Sequence, residues 1–141
     1  MKNGHYCKKL ALGTAQAPKF VVVLSVCEGK ILLSRHKMRA TWETQGGHIE
    51  PGETPLEAAE RELYEESGAL EFTIEPLFDY EAGDLKGSAT GVVFCAHVTV
   101  LGSIPASEMA ETCIFDALPE NLTYPNITPH LFRWAEEMQA L

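Results

Sequence analysis

The chain's apolar positions fall into strand-like runs and two helical stripes. Phe20 to Cys27, FVVVLSVC, is dense in β-branched residues and reads as a buried central strand. Glu28-Gly29-Lys30 is a short turn and Ile31 to Ser34 starts a returning strand, so the segment predicts a hairpin. Leu70 to Phe78, LEFTIEPLF, roughly alternates and predicts a strand, with Pro76 near its end. Asp79 to Gly87 reads as a loop, and Ala89 to Val100 as a long strand paired with the preceding one. Tyr6 to Leu12 predicts an edge strand, interrupted by Gly13 and Pro18. Ser103 to Glu111 reads as a polar connection, Thr112 to Phe115 as a short strand, and Asp116 to Pro125 as turn-rich.

Two stretches carry the period of a helix. From Thr128, an N-cap residue followed by proline, Leu131, Trp134, Ala135 and Met138 form one apolar stripe, which predicts a packing helix to about Ala140. The other stretch is GGHIEPGETPLEAAERELYEESGA, from Gly46 to Ala69. Thr54 is an N-cap candidate, Pro55 suits the first helical position, Glu57 completes a capping box, and Gly68 suits a left-handed C-terminus. A helix is therefore predicted from Pro55 to about Ser67. Leu56, Ala59 and Leu63 share an apolar arc, and Glu62, Glu65 and Glu66 share the neighbouring one.

Three carboxylates on one arc repel one another, which either solvation or a divalent cation relieves. Hard cations such as Mg²⁺ take oxygen ligands and keep waters for substrate phosphates. Gly46-Gly47 lets backbone approach a ligand closely, and Pro51-Gly52 adds a tight turn before the helix. Arg35, at the end of the returning strand in the basic segment SRHKMRA, is a candidate phosphate contact because a guanidinium matches phosphate oxygens. Trp42 reads as packing the loop onto the sheet.

Composition narrows the partners. At 141 residues the chain predicts one domain spanning 1–141. A net charge of −9 disfavours a DNA duplex, although a bound cation can reverse the sign locally and admit nucleotides. Cys7, Cys27, Cys95 and Cys113 form no C-x-x-C pair and read as reduced thiols. The first residues lack a signal-peptide core and no run approaches a membrane span, so a cytoplasmic protein is expected, and a homodimer is compatible with the composition.

The Gly46–Ala69 stretch resembles the signature of the Nudix hydrolases. Gly47, Glu53, Arg61, Glu62, Leu63, Glu65, Glu66 and Gly68 stand at its positions; Ala69 stands where a larger aliphatic residue is usual, and Gln45 where relatives often carry proline. The resemblance implies an α/β fold, a Nudix-type α/β/α sandwich around a mixed β-sheet. It implies a Mg²⁺- or Mn²⁺-dependent hydrolase acting on a nucleotide or a nucleoside diphosphate-linked small molecule, with Glu62, Glu65 and Glu66 as metal ligands helped by a carbonyl near Gly46 or Gly47. Glu53 and Arg61 would form a salt bridge that orients them. The general base varies in the family: Glu62 or Glu65 fits, as does a later acidic residue, Glu108 or Glu111. The wording around WETQGGHIEPGETPLEAA is similar to small 8-oxo-dGTP diphosphatases, so a nucleoside triphosphate leads as substrate. ADP-ribose, dinucleoside polyphosphates and capped RNA ends are rivals, and a non-catalytic nucleotide sensor is the alternative class. The pocket is expected among the early strands and the 79–87 and 103–111 loops, with Phe20, Arg35, Tyr80 and Phe94 as candidates to touch a base.

Overall fold

The computed structural model describes residues 4–141. Of the leader, therefore, only the part from Gly4 onward falls within the described residues. Eight strands and two helices follow in the order β1 (Tyr6–Leu10), β2 (Phe20–Cys27), β3 (Lys30–His36), β4 (Trp42–Glu43), β5 (Gln45–His48), α1 (Pro55–Ser67), β6 (Ala69–Asp84), β7 (Gly87–Leu101), β8 (Met109–Phe115) and α2 (Thr128–Glu137). The strands make one mixed sheet in the order β1-β6-β7-β2-β3-β4, with β5 paired to β2 and β8 to β3. Among the described strands the β2–β7 pairing is parallel, matching Phe20–Cys27 with Gly91–Val98, and the other strand pairs are antiparallel.

Strand β2 explains the layering. Its side chains alternate between the two faces. Val21 and Val23 join Ala58, Ala59 and Leu63 of α1 in one core. Leu24 joins Leu131, Phe132 and Ala135 of α2 in the other. A helix thus covers each face of the sheet, and the fold is an α/β/α sandwich. Among the described residues no helix is long and apolar enough to cross a membrane.

Four expectations shift. The 79–87 segment is not a loop: β6 runs on to Asp84 and β7 starts at Gly87, so the turn shrinks to Leu85 and Lys86. The polar stretch extends as strand because β1 zips along it, Tyr6 to Leu10 facing Gly83 to Asp79. Strand β1 itself ends at Leu10, two residues early. There Gly13 and Ala15 donate their amides to the buried Asp79 carboxylate at 3.1 and 2.9 Å, which folds the leader back over the sheet. Strand β8 begins at Met109, earlier than expected, because it pairs with β3. Helix α2 stops at Glu137 and Thr128 makes no side-chain cap; Leu131, Phe132 and Ala135 are its buried apolar face, while Met138 is exposed.

Candidate active site

Helix α1 is specified at both ends as its sequence predicts. Thr54 Oγ1 accepts the Glu57 amide at 3.1 Å and Glu57 Oε1 accepts the Thr54 amide at 2.9 Å. Gly68 adopts the left-handed conformation at φ 79°, and its amide donates to Tyr64 O. The buried residues are Ala58, Ala59, Leu63 and Ser67, whereas Leu56 is 43% exposed. The inward face is therefore centred nearer Ala59 than Leu56. At about 100° per residue, that rotation carries Glu62 and Glu66 toward the glycine loop.

Around this face one guanidinium meets several carboxylates. Arg61 grips Glu53 with two parallel bonds, Nε to Oε2 at 2.7 Å and Nη2 to Oε1 at 2.9 Å. Its Nη2 also donates to His48 O at 3.1 Å, and its Nη1 donates to Glu62 Oε1 at 2.6 Å and Glu65 Oε1 at 3.0 Å. Glu53 Oε1 takes the Glu50 amide as well, at 2.9 Å. The bonds from Arg61, then the backbone amide, hold the Glu53 carboxyl down at about 2. Glu66 Oε1 accepts the Gly46 amide at 2.8 Å. Burial pushes its carboxyl up to about 8; the Gly46 amide opposes this, and the charges of Glu62, Glu43 and Glu65 add to it. Burial also raises Glu62, against the pull of Arg61.

The glycines set the distances. A Cβ on Gly46, at φ +156°, would penetrate the Val21 carbonyl oxygen of β2. A Cβ on Gly47 would stand 2.8 Å from Glu62 Oε2. Both positions are glycine because backbone or carboxylate already occupies the space.

This donor set fits a hard divalent cation. Glu62, Glu65 and Glu66 lie on one helix face beside glycine backbone, and Glu66 is raised first by burial and then by the charges of its carboxylate neighbours. Among the described residues, however, no three side chains are already gathered as a ligand sphere. Arg61 holds Glu62 and Glu65, and the Gly46 amide holds Glu66, so an arriving ion would take these oxygens over from a guanidinium and an N–H.

A cavity of about 630 Å³ opens beside the glycine loop. Phe20, His48, Tyr80, Thr123, Tyr124 and Asn126 are among the residues that line it, and no lysine or arginine of the described residues does. Phe20 stacks obliquely on His48, with ring centroids 4.5 Å apart. Burial raises the Tyr80 hydroxyl far above the ordinary phenol range, so it stays neutral.

Several expected contacts lie elsewhere. The 103–111 segment does not reach the cavity; the 123–128 segment ahead of α2 takes that place. Phe94 is in the α1-side core. Arg35 and Glu111 do come together, Nε to Oε1 at 2.8 Å, but not at the acidic helix. Ser34 Oγ reaches Glu66 O, so by strand alternation its neighbour Arg35, paired across from Glu111, faces the other side of the sheet. Arg35 further donates to Arg39 O at 2.9 Å, and it is not among the residues that line the cavity. Glu108 is exposed and pairs with His36 at 3.3 Å. Trp42 packs edge-on against Phe115, as a packing residue would.

Three further residues at the site escape a reading of the sequence alone. Glu43 is buried against Arg39 at 3.0 Å and Thr123 at 3.0 Å. Gln45 and Ser34 are fully buried. The four-residue spacing of Arg39 and Glu43 is a weak signal for the first. For Gln45, the signal is a polar residue where relatives often have proline.

Comparison with known proteins agrees with this geometry. The model of the NUDIX domain matches residues 15–126. The chain is 34% identical over 110 residues to the Bacillus subtilis (strain 168) protein named "Putative 8-oxo-dGTP diphosphatase YtkD", covering 77% of this chain and 69% of that one. It is 40% identical over 79 residues to a second protein of that strain, named "Putative 8-oxo-dGTP diphosphatase", covering 51% of this chain and 52% of the relative. Among solved structures, a point mutant of the Bacillus subtilis pyrophosphohydrolase BsRppH superposes with a TM-score of 0.77 at 26% identity, covering 95% of this chain and 90% of that one. The acidic helix, its glycine loop and the matched length together place this chain in the NUDIX domain family, as a Nudix hydrolase.

Proposed function

We propose that this chain is a metal-dependent pyrophosphohydrolase that cleaves a nucleoside triphosphate to the monophosphate and pyrophosphate. The observation that carries the reading is the cavity beside Gly46-Gly47, which is of nucleoside size and lacks lysine and arginine among the described residues. Among the described residues a polyphosphate meets no lysine or arginine inside it, only the imidazoles of His5 and His48, so the neutral base enters and the phosphates remain at the carboxylate end. Asn126 brings an amide with both donors and an acceptor, and Phe20 and Tyr80 bring aromatic surface.

In this reading Glu62, Glu65 and Glu66 hold Mg²⁺ or Mn²⁺, with backbone near Gly46 or Gly47. The ion, when bound, neutralises charge on the pyrophosphate and prepares the attacking water. Arg61 and Glu53 clamp the loop to the helix and hold Glu62 and Glu65 in place until the ion arrives. Glu62 or Glu65 is the general base of choice, since Glu111 is paired to Arg35 and does not line the cavity. The 8-oxo-dGTP reading follows the names of the Bacillus subtilis relatives.

One observation favours a second reading. A stretch of 54 residues, 38% of this chain, is 37% identical to a Francisella philomiragia protein named "RNA pyrophosphohydrolase", which makes an RNA the alternative substrate. The net charge of −9 weighs against contacts to the strand beyond its first nucleotides. Incubation with Mg²⁺ of dGTP, 8-oxo-dGTP, GTP, ADP-ribose, diadenosine tetraphosphate and 5′-triphosphorylated RNA, with products identified, separates these readings. Pyrophosphate and a monophosphate from one free nucleotide are expected. Turnover of RNA alone would replace the first reading by the second. Tight binding of one compound with hydrolysis of none would replace both by a sensor.

A further inference from the structure

We propose that Gln45 is a positioning residue for Glu66, acting through a buried chain of hydrogen bonds that crosses three strands. Ser25 Oγ donates to Gln45 Oε1 at 2.6 Å. Gln45 Nε2 donates to Ser34 Oγ at 2.9 Å and to Leu32 O at 3.3 Å. Ser34 Oγ then donates to Glu66 O at 2.8 Å. Ser25, Ser34 and Gln45 are each 0% exposed.

The direction of this chain is forced. Leu32 O can only accept, so the amide nitrogen of Gln45 must face it and the amide oxygen must face Ser25. With its oxygen filled and both N–H groups used, Gln45 is satisfied. Ser34 accepts from Gln45 and therefore turns its one proton to Glu66. Such a network is costly to leave half made, because each member lies where water cannot replace a lost partner.

What the network holds is the last turn of α1. Glu66 O is one of the four carbonyls at the helix end that lack an intrahelical partner, and Ser34 supplies one from outside. The carboxylate of the same residue is held by the amide of Gly46, the residue next to Gln45. Glu66 is thus gripped at both ends from one short strand: its main chain through the Gln45 side chain, its side chain through the backbone that follows. A proline at position 45 could make neither the amide contacts nor this relay. The inference rests on the reading of Glu66 as a cation ligand, which partners of this kind would hold in place for an ion.

The test counts bound Mn²⁺ directly by electron paramagnetic resonance, without substrate, on folded wild type, Glu66→Gln, Gln45→Met, Ser34→Ala and Phe132→Leu. Phe132 lies in the α2-side core, so that variant lowers stability away from the relay. Gln45→Met and Ser34→Ala are expected to weaken Mn²⁺ about 10-fold, in line with outer partners of metal ligands. Phe132→Leu should bind as wild type at a comparable loss of thermal stability. Turnover of the substrate found above should show a higher Mn²⁺ requirement for both relay variants and a nearly unchanged KM at saturating Mn²⁺. Should Gln45→Met fail to fold, Ser34→Ala decides alone. Mn²⁺ binding within twofold of wild type in the folded relay variants, with Glu66→Gln impaired, overturns the relay and leaves the Glu66 assignment standing. Wild-type binding by Glu66→Gln overturns the assignment on which the relay rests.

Discussion

Adjacent glycines give a paired test of the site, Gly47→Ala against Gly46→Ala. An alanine Cβ at position 47 would lie 2.8 to 3.0 Å from the carboxylate atoms of Glu62, whereas ordinary contact begins at 3.4 Å. The carboxylate must then retreat by about 0.6 Å from its nearest approach. Productive constellations tolerate roughly 0.5 Å, and a displacement of about 1 Å is worth about 100-fold in rate. A fall in kcat of about 10- to 100-fold is therefore expected. The backbone at Gly47 has no positive φ, so alanine fits the strand and unfolding should be unchanged or slightly harder, by up to about 1 kcal/mol. Gly46→Ala meets the Val21 carbonyl, which cannot swing aside. It should pry β5 from β2 and destabilise by about 1–3 kcal/mol or more. Thermal unfolding and pyrophosphate release measured on both variants decide. Full activity in Gly47→Ala would refute the idea that Glu62 works from its observed place, and equal melting losses in the two variants would refute the distinction between carboxylate and backbone contact.

Other consequences are as direct. Glu65→Gln should lower kcat by orders of magnitude while circular dichroism melting stays near wild type, since its partner Arg61 keeps Glu53 and Glu62; wild-type turnover would remove Glu65 from the ligand set. Glu66, raised to about 8, favours the folded state when protonated, so its contribution is present below about 4.5 and is lost as pH rises through about 8. Urea midpoints in EDTA should therefore shift in favour of Glu66→Gln relative to wild type between pH 5 and 8.5, and a constant difference would contradict the burial argument. Asp79→Ala removes the acceptor of the Gly13 and Ala15 amides, which water can reach, and should cost about 1 kcal/mol, with faster amide exchange at 13 and 15 and none added in α1; unchanged exchange there would show that the leader is held by other contacts.

Local rules determined much of this protein without tertiary help. The Thr54–Glu57 box, Pro55 and Gly68 bound α1 because caps act within four residues. The β-branched run of β2 declared itself a central strand for a similarly local reason. The Arg61–Glu53 pairing, by contrast, came from the family resemblance rather than from spacing, since one partner is on the helix and the other in the loop.

Tertiary structure decided what depends on a partner far along the chain. Asp79 to Asp84 became strand because β1 lies beside it, a pairing that the polar composition of DYEAGD could not announce. Leu56 was left outside and Ala58 taken inside because the helix rotates to bring Glu62 and Glu66 to the loop. Arg35 and Glu111 were drawn to each other on the far face, since alternation from Ser34 left them no route to the acidic helix. Gln45 looked like a departure from pattern until Ser25, Ser34 and Glu66 were brought around it. Periodicity and capping are short-range and legible in one dimension. Which buried polar group meets which is a matter of closing distances between residues 11 to 32 positions apart, and only the packed sheet does that.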